Sequence, residues 1–297
     1  MLHGVTPAIG APIRKLDAVT FDALLHREDP FRRLTGALDL RGTCFVSPAA
    51  EVQLAVACYA LARRGIRPIL LVDNHGLRTY LMRSGFRRAV DPVALFDPPF
   101  SRAMSHVFDE LAGSSEGLIE LTRIDGPGAL PDLLDRVVEV LRRRLRFRKY
   151  EAFDVATAVS EITQNTFDHN QEALGFLAMQ VYRASPRSFL EIALADDGVG
   201  LAQTLSRNPR SGSISSDLHA IRRAIEPGTS EHDDPTRGTG LYHLMELAYR
   251  HRGTVQIRSG AAKVRFRMDK RTGWPFVVPH MPGVHIALTL DAKSMND

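Results

Sequence analysis

Glu161, Asn165, Asp168 and His169 are spaced by four, three and one residues, so on a helix they share one face. An amide oxygen such as that of Asn165 is a hard ligand suited to Mg²⁺, an ion that keeps waters and substrate phosphates as its other partners. A carboxylate one turn earlier, Glu161, can polarise a water or hydroxyl beside those phosphates. Two glycine boxes follow, Asp196-Asp197-Gly198-Val199-Gly200 and Arg237-Gly238-Thr239-Gly240-Leu241. A carboxylate at a strand end, Asp196, is placed to accept from the exocyclic amine of adenine, and Gly198 and Gly200 let the backbone pass close to the ring. The second box leads into a helix over about 242–250, and bare N–H groups at a helix start form an anion site that suits a triphosphate. Singly, each feature has a plainer reading as a polar helix face, a strand-ending turn or a tight loop. Together and in this order they describe a pocket for a nucleotide with its metal.

The elements that must hold these groups are legible around them. Val155, Ala158, Val159, Ile162 and Thr166 form an apolar stripe roughly 90–100° from the polar face, which therefore sits on the shoulder of its helix. Residues 189–195 read as a strand ending in Asp196, 118–124 as a first strand, 126–128 as a turn and 130–146 as a long helix. The segments 254–259 and 264–268 alternate as a hairpin would, and 285–290 reads as a further strand.

This set of boxes resembles the GHKL (Bergerat-fold, HATPase) ATP-binding domain over residues about 116–297. The resemblance implies an α/β sandwich, a mixed sheet covered on one face by helices, that binds ATP with Mg²⁺. Glu161 would be the general base and Asn165 the Mg²⁺ ligand; Asp196, Gly198 and Gly200 would form the adenine box, and Gly238 and Gly240 the phosphate-binding turn, flanked by Arg237, Thr239 and Leu241. Asp168 would orient other groups from behind, while His169 stays open between a phosphate contact and a bond to its neighbours, and Asn170 between a helix cap and a ligand contact. Residues 201–237, with the breakers Pro227-Gly228 and Asp233-Asp234-Pro235 around a short helix near 217–225, would be the lid over ATP. One departure stands out: many relatives place a Thr after the glycine opening the last strand, where this chain has Gly283-Val284. A dinucleotide-binding rival would need a third glycine where His243 stands.

The remainder of the chain divides into an arm (1–35), a small α/β layer domain (36–100) and a linker (101–115). In 36–100, strands at 37–40 and 43–46, a helix at 49–64, a strand at 67–72 and a helix at 77–84 capped by Gly85 resemble, more weakly, the STAS domain of anti-anti-sigma factors. Where that family carries its phosphorylatable turn, this chain has Ser47-Pro48-Ala49-Ala50, with Ala49 at the usual acceptor position. The fold class expected is thus α/β (α+β), a STAS-like layer domain followed by a Bergerat sandwich.

At 297 residues and 44% hydrophobic composition the chain can bury a substantial core. No apolar run approaches the ~20 residues of a bilayer span and no signal peptide opens the sequence. Cys44 and Cys58 have neither metal nor disulfide spacing, so a cytoplasmic setting is the default. The net charge of +4 and the basic run 142–149 at a helix end fit a solvated terminus better than a nucleic-acid surface. The resemblance implies a prokaryotic signalling protein with a nucleotide (ATP or ADP) and a protein partner, and it leaves room for a homodimer. No histidine lies in 130–146, which disfavours sensor histidine kinase activity and points to the anti-sigma serine/threonine kinase branch. An ATP-hydrolysing conformational switch and a non-catalytic nucleotide-sensing adaptor remain open beside it, since the same residues serve all three.

Overall fold

The computed structural model describes residues 12–101, 118–169, 173–184, 187–207, 212–226, 240–267 and 272–291. The N-terminal part runs β1 (Lys15–Leu16), α1 (Phe21–Glu28), α2 (Pro30–Arg33), β2 (Ala37–Asp39), β3 (Phe45–Val46), α3 (Pro48–Ala62), β4 (Ile69–Leu71), α4 (His75–Arg83), α5 (Phe86–Val90) and β5 (Leu95–Asp97). β2, β4 and β5 form a small parallel sheet in the order β2-β4-β5, and β1 pairs with β3. α4 begins where the Asn74 side chain accepts from the Leu77 N–H, and it stops before Gly85, whose φ of +76° suits a residue without a Cβ.

The second part runs β6 (Leu118–Ile124), α6 (Leu130–Leu145), α7 (Lys149–His169), β7 (Gly175–Ala184), β8 (Arg187–Asp196), α8 (Leu201–Ser206), α9 (Asp217–Ala224), α10 (Gly240–Arg250), β9 (Thr254–Arg267) and β10 (Thr272–Asp291). Its five strands lie in the order β6-β7-β8-β10-β9. The expectation of a mixed sheet is corrected here, because every neighbouring pair in this sheet is antiparallel. β7–β8 and β9–β10 are direct returns of the chain, which can only pair antiparallel.

Period-two alternation divides the central strands between two cores. Leu177, Met179, Ile192 and Leu194 face a layer built from α6, α7, α9 and α10, with Leu133, Val137, Val155, Val159, Ile221 and Leu244. Phe176, Ala178, Ala193 and Ala195 face the opposite way, onto α3, so helices cover both faces of the sheet and not the one face expected. α3 is buried around nearly its whole circumference, as expected of a helix that is apolar all round. Its alanines, among them Ala49, Ala50, Ala55 and Ala57, meet the sheet alanines, and small residues on both sides let helix and sheet approach closely. The N-terminal helices and the five-stranded sheet therefore share one apolar core.

Polar contacts reinforce that junction. Asp22 of α1 pairs with both Arg258 and Lys263 of β9, whose side chains are 1% and 5% exposed. Glu191 of β8 accepts from the Ser47 hydroxyl at 2.9 Å and the Ala49 N–H at 3.1 Å, so a sheet carboxylate caps the start of α3.

The expected hairpin between 254–259 and 264–268 does not form; 254–259 and 264–267 lie on the single strand β9, whose hairpin partner is β10. Gly260, in the connection that hairpin would need, stays in the ladder as an irregularity with φ of +58° opposite Met281. The described parts of 201–237 include α8 and α9, with Leu205, Ala220, Ile221 and Ala224 in the core.

Candidate functional site

α7 carries Glu161, Asn165, Asp168 and His169 on one helix, which runs to His169. The side chains of Asn165, Asp168 and His169 lie outside the described residues, as do Asn170, Arg237, Gly238 and Thr239. Glu161 is placed. Gly240, the first residue of α10, sits directly against it: a Cβ there would lie 3.1 Å from the Glu161 Cβ and 3.4 Å from its carbonyl carbon. A side chain there would have to push its neighbours by a few tenths of an ångström, so a glycine suits this approach of one helix to another. Leu241, the next residue, is anchored in the core beside α7. The first turn of α10 is thus held beside Glu161. Three residues along the same face of α10, His243 Nδ1 meets Glu161 Oε2 at 2.9 Å.

The strand-end box forms a second centre. Asp196 closes β8, and its carboxylate accepts from the Gly198 N–H at 2.9 Å and from the Val284 N–H. Burial pushes the Asp196 carboxyl up to about 7, against the pull of those two donors, and neighbouring Asp197 adds to the rise. A Cβ at Gly198 would stand 2.8 Å from Asp196 Oδ1 and crowd this carboxylate. Gly283 is under the strongest constraint. With φ of +80° its Cβ would fall 1.7 Å from the Asp196 carbonyl oxygen, so any side chain there would displace the strand end. Gly200, φ +81°, passes Ser259, whose hydroxyl accepts from the Leu201 N–H at 2.8 Å and anchors the start of α8. These glycines serve approach of chain to chain, a constraint additional to the ring contact expected of them.

Asp197 differs from its neighbour. Its buried carboxylate accepts from the Leu174 N–H at 2.7 Å and pairs with Arg63 Nε at 2.8 Å, which ties the end of α3 to the end of β8. Two adjacent carboxylates thus have separate partners: Asp197 bridges two elements, while Asp196 is held by the backbone around it. The departure at Val284 also has a physical reading, since that residue contributes its backbone N–H to Asp196 whatever its side chain.

Sequence reasoning assigned neither His243 nor Ser259 to the site, and it marked Gly283-Val284 only as a departure from the Thr expected there. His243 is 82 residues from Glu161, and nothing local to either marks the pair. Among the described residues no group of three or more His, Cys, Asp or Glu could hold a metal ion.

No protein-family model matches this chain, and no curated protein matches it. Its class is a mixed α/β protein, and no helix among the described residues is long and apolar enough to cross a membrane.

Proposed function

We propose that the chain is a Mg·ATP-binding regulatory protein of GHKL type with a STAS-like N-terminal segment, acting as a serine/threonine kinase on a protein partner. The observation that carries this reading is the seating of Gly240 against Glu161, which sets the bare start of an 11-residue helix beside a carboxylate. On this reading the triphosphate lies at the α10 N-terminus and the adenine amine at Asp196, whose carboxylate is held in place by Gly198 and Val284. Asn165 supplies the amide oxygen for Mg²⁺, which when bound neutralises charge on the phosphates. Glu161 faces the hydroxyl to be phosphorylated. Ser47, the hydroxyl nearest the expected acceptor position, is buried and bonded to Glu191, so the substrate hydroxyl comes from another protein.

The test uses γ-labelled ATP with the full chain and candidate partner proteins, for wild type and Glu161→Ala. Label on a partner Ser or Thr, lost in the variant while ATP binding persists, supports the kinase. Free phosphate alone favours a hydrolytic switch, and ATP binding without either product leaves an adaptor.

A further inference from the structure

We propose that His243 is the proton acceptor of this site and that Glu161 is the residue that orients it; the inference rests on the nucleotide reading above. The two side chains come from different helices, α10 and α7, and are brought into register by the close approach of Gly240 to Glu161 three residues earlier. An ionised carboxylate offers only acceptors, so the 2.9 Å contact between Glu161 Oε2 and His243 Nδ1 requires the proton on Nδ1. The neutral ring then carries its lone pair on Nε2. The imidazole side chain is 50% exposed and Glu161 31%, so water or a substrate hydroxyl can reach the ring. This is the geometry of a base oriented by a carboxylate behind it.

Nε2 takes the proton of an attacking hydroxyl as that oxygen bonds to the γ-phosphorus of a nucleoside triphosphate. The bond from γ-phosphorus to the bridging oxygen breaks, and its electron pair leaves with the nucleoside diphosphate. The imidazolium, steadied by the Glu161 carboxylate, then returns its proton to solvent. Atoms and charge balance with no further reactant.

Two measurements on the full chain test this. ¹⁵N NMR of the nucleotide-free wild type should find neutral His243 as the Nδ1–H tautomer, with that preference lost in Glu161→Ala. A ring protonated on Nε2 would overturn the proposal without any appeal to activity. Kinetically, His243→Asn keeps an N–H donor toward Glu161 but has no Nε2 base. It should retain the Mg·ATP-induced rise in melting temperature and lose roughly 100-fold or more in phosphate release or transfer. His243→Ala should lose as much and recover in part with added imidazole. Wild-type turnover in His243→Asn would show that the ring only positions Glu161. A wild type that binds Mg·ATP but turns nothing over overturns the proton-acceptor role and spares the nucleotide reading, whereas failure to bind removes both.

Discussion

Glu51 of α3 is fully buried, bonded to the Ser84 hydroxyl, and its substitution tests how the N-terminal helices are held to the sheet. Burial pushes its carboxyl from the ordinary 4.5 to about 8; the nearby Glu191 charge adds to the rise, while the Ser84 and Tyr80 hydroxyls oppose it. Because the folded value lies above the unfolded one, the stability Glu51 contributes is complete below about 4.5 and is lost as pH rises through about 8. Glu51→Gln has the shape of the protonated acid and cannot ionise. Between about pH 6 and about pH 8 the wild type should therefore lose, relative to the variant, up to about 1.4 kcal/mol per unit with the slope falling as pH 8 is reached, roughly 2 kcal/mol in all. Burial, reinforced by the Glu51 charge, pushes the Tyr80 and Tyr182 hydroxyls well above their ordinary range, so both stay protonated across this window in either protein. Urea unfolding of the two proteins across this range reads the effect directly. Stability curves that run parallel with pH would refute the buried-carboxyl account.

Asp22→Ala leaves Arg258 and Lys263 buried without their shared counter-charge, and urea unfolding should show a loss of about 3–5 kcal/mol. A loss below about 1 kcal/mol would mean that α1 is not clamped through this triad. Because burial pushes the Asp196 carboxyl up to about 7 and the ionised form is the stronger acceptor, Mg·ATP should bind up to about tenfold more tightly at about pH 8 than at about pH 6. Asp196→Asn should flatten that dependence, and the comparison removes the titration of ATP itself. Calorimetry showing the same slope in both proteins would take Asp196 out of the site.

The helix Leu130–Leu145 was legible because its apolar residues keep one period from end to end, and the strand Leu118–Ile124 as a short apolar run without strict alternation. The helix Asp217–Ala224 was legible from its flanking breakers and periodic alanines. β7 passed unread because Phe176, Leu177, Ala178 and Met179 are buried on both faces, which removes the alternation that marks a strand. β9 was divided at Gly260 because a glycine within a strand and a glycine in a turn look the same locally; Met281, its partner across the ladder, makes the difference. In the site, Glu161 lies within a helix and Asp196 at the end of a strand, as expected, whereas Gly240 is already the first helical residue and not part of the turn before a helix starting near 242. The groups that hold them, His243 and the Gly283-Val284 backbone, are distant in sequence, and a backbone donor leaves no side-chain signature at all.

Titration of the full chain with Mg·ATP by calorimetry, for wild type, Asn165→Ala and Asp196→Ala, tests the central claim most directly. The account predicts one saturable site in the wild type that weakens without Mg²⁺. Asp196→Ala should lose roughly 10- to 100-fold in affinity, as expected for a hydrogen bond to a charged group, and Asn165→Ala should lose its dependence on the metal. A wild type that takes up no Mg·ATP, or an Asn165→Ala variant that binds it as tightly and with the same metal dependence, would contradict it.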